Sequence, residues 1–373
     1  MTRRIIIVFL LIMGLLLGNN WAFAQEDYGE DLVIERARIL NVEVLEDASL
    51  ENDFIVENML VTLEILSGEY KGQEFETIHS LTGNIGYDIE IEPGDKVLVT
   101  MEIGDDGDLQ AHISEYLRDT YVYIVFAIFI ALLILVGRYK GLKTVITLAL
   151  TMLLILKVLL PGLLAGYNPI ILTVFVSFLI TLITIILVGG INTKSFAAIT
   201  GVLGGVFIAG IIAYIIGSKV KLTGLSSDEA MMLMYIPQGV KFDFRGLLFA
   251  GIIMGALGAV MDVGMSIASS MEEIKNANPQ IRRKDLVISG MNVGKDVMGT
   301  MANTLILAYT GSAIPLLLVF TAYEETLTNI INLDIVATEI IRAFSGSIGL
   351  VLSIPITAIT AGFLAEKFSQ GEK

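Results

Sequence analysis

Cysteine is absent from the 373 residues, histidine occurs twice, tryptophan once, and charged side chains make up only 17%. Without a thiol there is no disulfide framework and no cysteine nucleophile, so any exported part must be held together by its own apolar core. The two histidines, His79 and His112, both lie in the N-terminal third. The rest of the chain therefore has no imidazole for a Ser-His dyad or a His-Glu-x-x-His zinc motif. An aspartyl protease needs two membrane-embedded aspartates, and Asp262 is the only one deep in an apolar run, since Asp296 falls at a boundary. Gly290 to Asp296 has three residues between its glycines and an aspartate after Lys295, where a phosphate loop has four and Ser or Thr. Neither an enzyme nor a bound cofactor or nucleotide is expected. Nucleic acid is excluded as a partner by the lack of a basic, aromatic-laced surface.

What is abundant is apolar: 54% of residues are hydrophobic and the mean hydropathy is +0.75, far above a soluble domain, so the excess must face lipid. The formal charge of −15 is local in origin. Residues 25–118 hold 24 acidic and 5 basic side chains, a balance of −19, which leaves the remainder at +4.

The first 24 residues have the three parts of an export signal. Arg3 and Arg4 are followed by the short apolar run Ile5 to Leu17 and by Ala22-Phe23-Ala24 before the polar Gln25. Residues 25–118 then alternate short β-rich runs with turn signals. The runs are Leu32 to Leu40, Met59 to Leu66, Phe75 to Ile78, Lys96 to Ile103 and Leu109 to Ile113. Glu92-Pro93-Gly94-Asp95 and Asp105-Asp106-Gly107-Asp108 are chemically apt turns. The expectation is a small extracytoplasmic all-β domain, a barrel or sandwich of five or six strands.

From Tyr121 the chain becomes a polytopic α-helical membrane domain, residues 119–366, followed by a short tail, 367–373. Seven stretches approach the ~20 residues that cross a hydrocarbon core. They run from Tyr121 to Gly137, Thr144 to Leu164, Pro169 to Gly189, Phe196 to Gly217, Gly246 to Ser269, Val297 to Tyr323 and Glu339 to Ala365. Arg138, Lys140, Lys143, Lys194, the cations from Lys275 to Lys295 and Lys367 gather on one side, which the positive-inside rule makes cytoplasmic. The N-terminal domain is then outside and the C-terminus inside. Ser218 to Arg245 is the exceptional loop, with four cations placed outside. After the fifth span, Ser270-x-x-Glu273 has the spacing of a capping box. Pro279 and the triplet Arg282, Arg283, Lys284 precede a second helical pattern.

Three segments carry a family resemblance: Val136-Gly137-Arg138-Tyr139-Lys140-Gly141-Leu142-Lys143, Gly258-Ala259-Val260-Met261-Asp262-Val263-Gly264-Met265-Ser266, and Ser289 to Thr304, which includes Gly290-Met291-Asn292-Val293-Gly294-Lys295-Asp296. They resemble the YibE/F family of multi-pass bacterial membrane proteins, over most of residues 30–365. The resemblance implies a bacterial plasma membrane protein with an outer domain ahead of its helices, and it implies no particular chemistry.

Asp262 is the most informative residue, because an ionisable side chain in an apolar helix must be paired, protonated or hydrated. It lies about eight residues before the cytoplasmic end of the fifth span and Asn303 about seven into the sixth, a depth of ~12 Å for both. The expected cluster has Asp262 as the titrating carboxylate of an ion pathway, with Asn303, Thr300 and Thr304 as its hydrogen-bonding shell. Interhelical glue without transport is the bland alternative. Gly251, Gly255 and Gly258 on the same helix, and Gly201 with Gly205 on the fourth, are expected to allow close helix approach. Arg342 and Glu339 are expected to pair at the start of the last span, and Pro315 and Pro355 to kink the last two. Two functions follow: a proton- or cation-coupled transporter or exporter component, or a non-transporting scaffold or sensor whose acidic outer domain binds an envelope partner. Besides the bilayer itself, the expected partners are a second membrane protein or a second copy of the chain.

Overall fold

The computed structural model describes residues 33–45, 55–103, 109–236, 239 and 241–369. The expected signal segment and the Asp105-Asp106-Gly107-Asp108 turn lie outside the described residues. The described residues divide into two compact units, the first ending at Leu132 and the second beginning at Leu133.

Among the described residues the first unit contains one antiparallel sheet of five strands: β1 (Val33–Val44), β2 (Glu57–Ile65), β3 (Glu74–Leu81), β4 (Lys96–Ile103) and β5 (Leu109–Tyr116). Their order is β3-β2-β1-β4-β5, and the two edge strands approach one another, so the sheet curls into a half-barrel rather than stacking as a sandwich. Period-two alternation decides which residues face inward. Ala37 and Ile39 of β1, Met59, Val61, Leu63 and Ile65 of β2, and Val97, Val99 and Met101 of β4 are all buried in one core. The expected Pro93-Gly94 turn forms, with the Asp95 amide donating to the Glu92 carbonyl and the Glu92 amide donating to the Asp95 carboxylate. Glu35 is buried on the inner face, where its carboxylate accepts from the Ser67 hydroxyl at 2.5 Å.

The second region is helical. Helix α1 (Asp119–Leu154) continues through a π-helical turn (Ile155–Leu159) into α2 (Leu160–Leu164). Pro161 has no N–H for the Lys157 carbonyl, and the Leu160 amide instead reaches Ile155, five residues back. Helices α3 (Pro169–Gly189) and α4 (Thr193–Lys219) follow, capped by the side chains of Asn168 and Asn192. The Ser218 to Arg245 segment carries a short helix, α5 (Asp228–Met232), whose Met231 and Met232 are exposed. Beyond it come α6 (Phe244–Ala277), α7 (Arg283–Ser312), α8 (Ile314–Ala322), α9 (Leu327–Asn332) and α10 (Asp334–Ser369).

Among the described residues five helices are long and apolar enough to cross a membrane, or six if α7 and α8, bent by 62°, form one span. The first of the five is the whole stretch Asp119–Leu164. Ala198, Val202 and Val206 of α4, Val260 and Ile267 of α6, and Leu350 and Ile354 of α10 form the centre of the bundle core, with α3 and α7 packed at its sides.

One local expectation fails. Ser270 does not cap a helix, because α6 runs unbroken to Ala277. Its apolar face, through Ile267 and Met271, stays packed past that point and outweighs the local capping signal. Pro355 lies inside α10, and Pro315 sits at the start of α8, just past the bend.

Candidate functional site

Asp262 is the only charged residue between Arg245 and Glu272. Helical periodicity places it on one stripe of α6 with Gly251, Gly255, Gly258 and Ser266, separated by four, three, four and four residues. All five are exposed on the bundle surface. The Asp262 carboxylate has no hydrogen bond or ion pair among the described residues.

Helix α7 runs antiparallel to α6. Gly290 packs on Met271, Gly294 near Ile267, and the Tyr309 hydroxyl sits over Gly255. That register places Asp262 level with about residues 299–302, the depth anticipated for a partner on the sixth span. The azimuth differs from the expectation. Helix α7 buries Gly290, Gly294 and Leu305, and Asn303 follows Gly294 by nine residues, two and a half turns, on the opposite side of the helix. Asn303, Thr300 and Thr304 are exposed, and the two threonine hydroxyls donate to the carbonyls of Val297 and Thr300 on their own helix. Equal depth is therefore reached without a shared shell, and Asn303 does not hydrogen-bond Asp262.

The glycines divide in the same way. A Cβ at Gly201 would collide with the Thr357 hydroxyl, and one at Gly205 would come within 2.6 Å of the Gly349 carbonyl and 2.7 Å of Ser353. Both seat α4 on α10. A Cβ at Gly255 would press on the Tyr309 hydroxyl, but at Gly251 and Gly258 nothing lies within 4 Å. These last two do not mediate helix packing and instead leave the face around Asp262 smooth and open.

Sequence reasoning missed Tyr309, which joins the expected Arg342–Glu339 ion pair at the seam between α6, α7 and α10. The signal was available as a tyrosine five residues past the end of the Ser289 to Thr304 motif, but only the fold reveals what it faces. Among the described residues no group of three His, Asp or Glu side chains converges as a metal site would require.

The description YibE/F-like protein matches residues 125–367, and YibE/F family N-terminal domain matches residues 34–116. The chain belongs to the YibE/F family. The boundary between the two matches coincides with the passage from β5 into α1, so the family's N-terminal domain is the half-barrel and its membrane portion the helical region. Neither a curated protein nor a solved structure matches the chain. Family membership brings no molecular activity with it.

Proposed function

We propose that the chain is a proton- or cation-coupled transporter or exporter component of the bacterial plasma membrane, with Asp262 as its titrating carboxyl. One observation carries the reading: a lone carboxyl on an open face of a long apolar helix, with no hydrogen-bond or ion-pair partner among the described residues. Facing hydrocarbon, such a group must be protonated, and facing water or a partner it can ionise, so its exposure couples protonation to the helix's surroundings. Reconstitution in liposomes enclosing a pH-sensitive dye tests this. Asp262→Asn is expected to abolish proton flux, and absence of flux in both proteins would overturn the reading.

The proposed topology has seven spans, an outer half-barrel and a cytoplasmic C-terminus. A continuous 46-residue helix would be ~69 Å long, more than twice a hydrocarbon core. Arg138 interrupts it with φ 48° and ψ −125°, and a Cβ at Gly141 would collide with the Leu133 carbonyl, which supports two spans joined at the basic motif. The packed helices also have the alternating directions that this topology demands. Helices α3, α6 and α10 run parallel, through Pro169 beside Gly246 and Gly346 beside Ala256, while α4 and α7 run oppositely.

The scaffold reading draws on a different feature. In the half-barrel, the loop from Thr82 to Asp88 is pinned by the Asp88 carboxylate, which accepts from the Thr82 amide and hydroxyl, and by Asn84, which accepts from the Gly86 amide. It presents Ile85 and Tyr87 at 92% and 84% exposure. A preorganised apolar tip suits recognition of an envelope protein. This reading loses its support if the outer domain retains no envelope component in a pull-down.

A further inference from the structure

We propose that Asp262 is answered by Lys157 of a second copy of this chain, so that two copies associate in the membrane through a reciprocal pair of these contacts. The proposal deepens the reading of Asp262 by naming its partner, and rests on that reading only for the residue's place within the bilayer.

Charge inside the spans is scarce. The seven apolar stretches between Tyr121 and Ala365 hold four charged side chains: Lys157, Asp262, Glu339 and Arg342. Glu339 and Arg342 pair with each other on α10. What remains is one cation and one anion. Lys157 and Asp262 are both exposed on the helical bundle, and neither has a hydrogen bond or ion pair among the described residues. A lone charge facing lipid is costly, and charged residues within membrane helices characteristically pair with one another.

Packing fixes the relative depth of the two. The Leu172 side chain lies at Gly162, Pro169 lies at Gly246, and the Ser177 hydroxyl meets the Met254 sulfur at 3.4 Å. The chain reverses direction between α2 and α3, while α3 and α6 run parallel. Lys157, five residues before Gly162, is therefore level with Ser177 and so with Met254. Asp262 lies eight residues further along α6, about 12 Å away in depth. Helical side chains tilt towards the N-terminus of their own helix. Because the two helices run in opposite directions, Lys157 leans towards the level of Asp262 and Asp262 leans towards that of Lys157. An extended lysine stem covers about 6 Å and an aspartate about 2.5 Å, which closes most of the offset. The same lean carries the ammonium away from the nearer helix end at Leu164, seven residues on, and so opposes its escape to water by snorkelling.

Within one copy, the turn that carries Lys157 packs on α3, and α3 packs on α6. The two opposite charges are thus separated across the lipid-facing surface. A two-fold axis along the membrane normal preserves depth and sets each charge against its counterpart in the other copy, which closes the assembly at two.

A benzophenone amino acid in place of Lys157 tests the contact in the bilayer. The full-length variant is co-expressed with differently tagged wild type, so that a mixed dimer keeps one ion pair, its own Asp262 with the wild-type Lys157. Irradiation is expected to join the two chains, with the attachment mapped by mass spectrometry to the wild-type α6 around Asp262. Co-purification of differently tagged chains gives the charge test. Asp262→Lys, which sets two cations together, is expected to lower it at least about tenfold, as is Lys157→Asp, which sets two anions together, and a chain carrying both exchanges is expected to regain most of it. Attachment only within one chain, only to lipid, or to a different membrane protein would overturn the proposal. So would co-purification unaffected by Asp262→Lys. Should a single-charge variant fail to accumulate, the photochemical attachment decides alone. Neither readout uses transport: attachment at α6 of the other copy supports the pair even if Asp262→Asn leaves proton flux intact, and its absence overturns the pair even if that flux disappears.

Discussion

A glycine on a membrane helix matters to packing only when another atom fills the space its missing side chain leaves. Gly201 and Gly258 test that statement at single residues. Gly201→Ala drives a methyl into Thr357 between two buried helices, and overpacking of that kind costs about 1–3 kcal/mol. Gly258→Ala enters open space and should be neutral, or stabilising by up to ~1 kcal/mol through helix propensity. Thermal unfolding in detergent distinguishes the pair, with only the first expected to lower the midpoint. The same small-residue spacing occurs on α4 and on α6, so the pattern was legible at both places. Which of the two faces a neighbour was not, because that depends on how α4 seats against α10. Asn303 illustrates the same limit. Its depth relative to Asp262 followed from span boundaries, while its azimuth is set by Gly290, Gly294 and Leu305, which commit the other side of α7 to the bundle.

Elements whose burial is periodic were visible in the chain. The strands at Met59, Lys96 and Leu109 begin within two residues of their expected starts, since alternation with one buried face leaves little freedom. Pro169 to Gly189 begins and ends where expected, because Asn168 with Pro169 opens it and Gly190, at φ 82°, closes it. Where local chemistry competes with packing, packing prevails, as at Ser270. The loop from Thr82 to Asp88 is an element held by one carboxylate and gives a pH prediction. Hydrogen bonds from the Thr82 amide, and secondarily its hydroxyl, hold Asp88 below the usual carboxylate range. A depressed folded-state value means that the stabilisation is complete above the unfolded value of about 3.9 and is lost as pH falls through the folded value. Amides near Asn84 to Tyr87 should therefore exchange faster in acid than at neutral pH by more than intrinsic exchange predicts. Asp88→Ala should remove that excess and expose the loop at every pH.

At the scale of the whole molecule, the acidic half-barrel and the slightly basic helical region have separate cores, and the chain passes between them within two residues of Tyr116. The absence of cysteine makes the proposed topology directly testable. Lys140→Cys, beside the Arg138 break, should resist a membrane-impermeant maleimide added to intact cells. Glu325→Cys, between α8 and α9, should react. Reaction at both positions would contradict the break at Arg138 as a cytoplasmic turn. The charge asymmetry needed for that orientation was legible in the loops, but the seam where Tyr309 meets Arg342 was not, because its residues lie on helices brought together only by the bundle. The central claim concerns Asp262, and the measurement that reaches it most directly is proton flux into dye-loaded proteoliposomes under an imposed potential. Wild type, Asp262→Asn and the packing-neutral Gly258→Ala would be compared at equal reconstituted amounts. The account predicts that Gly258→Ala matches the wild type and that Asp262→Asn falls at least about tenfold, equivalent to ~1.4 kcal/mol. Equal flux in the wild type and Asp262→Asn would contradict it.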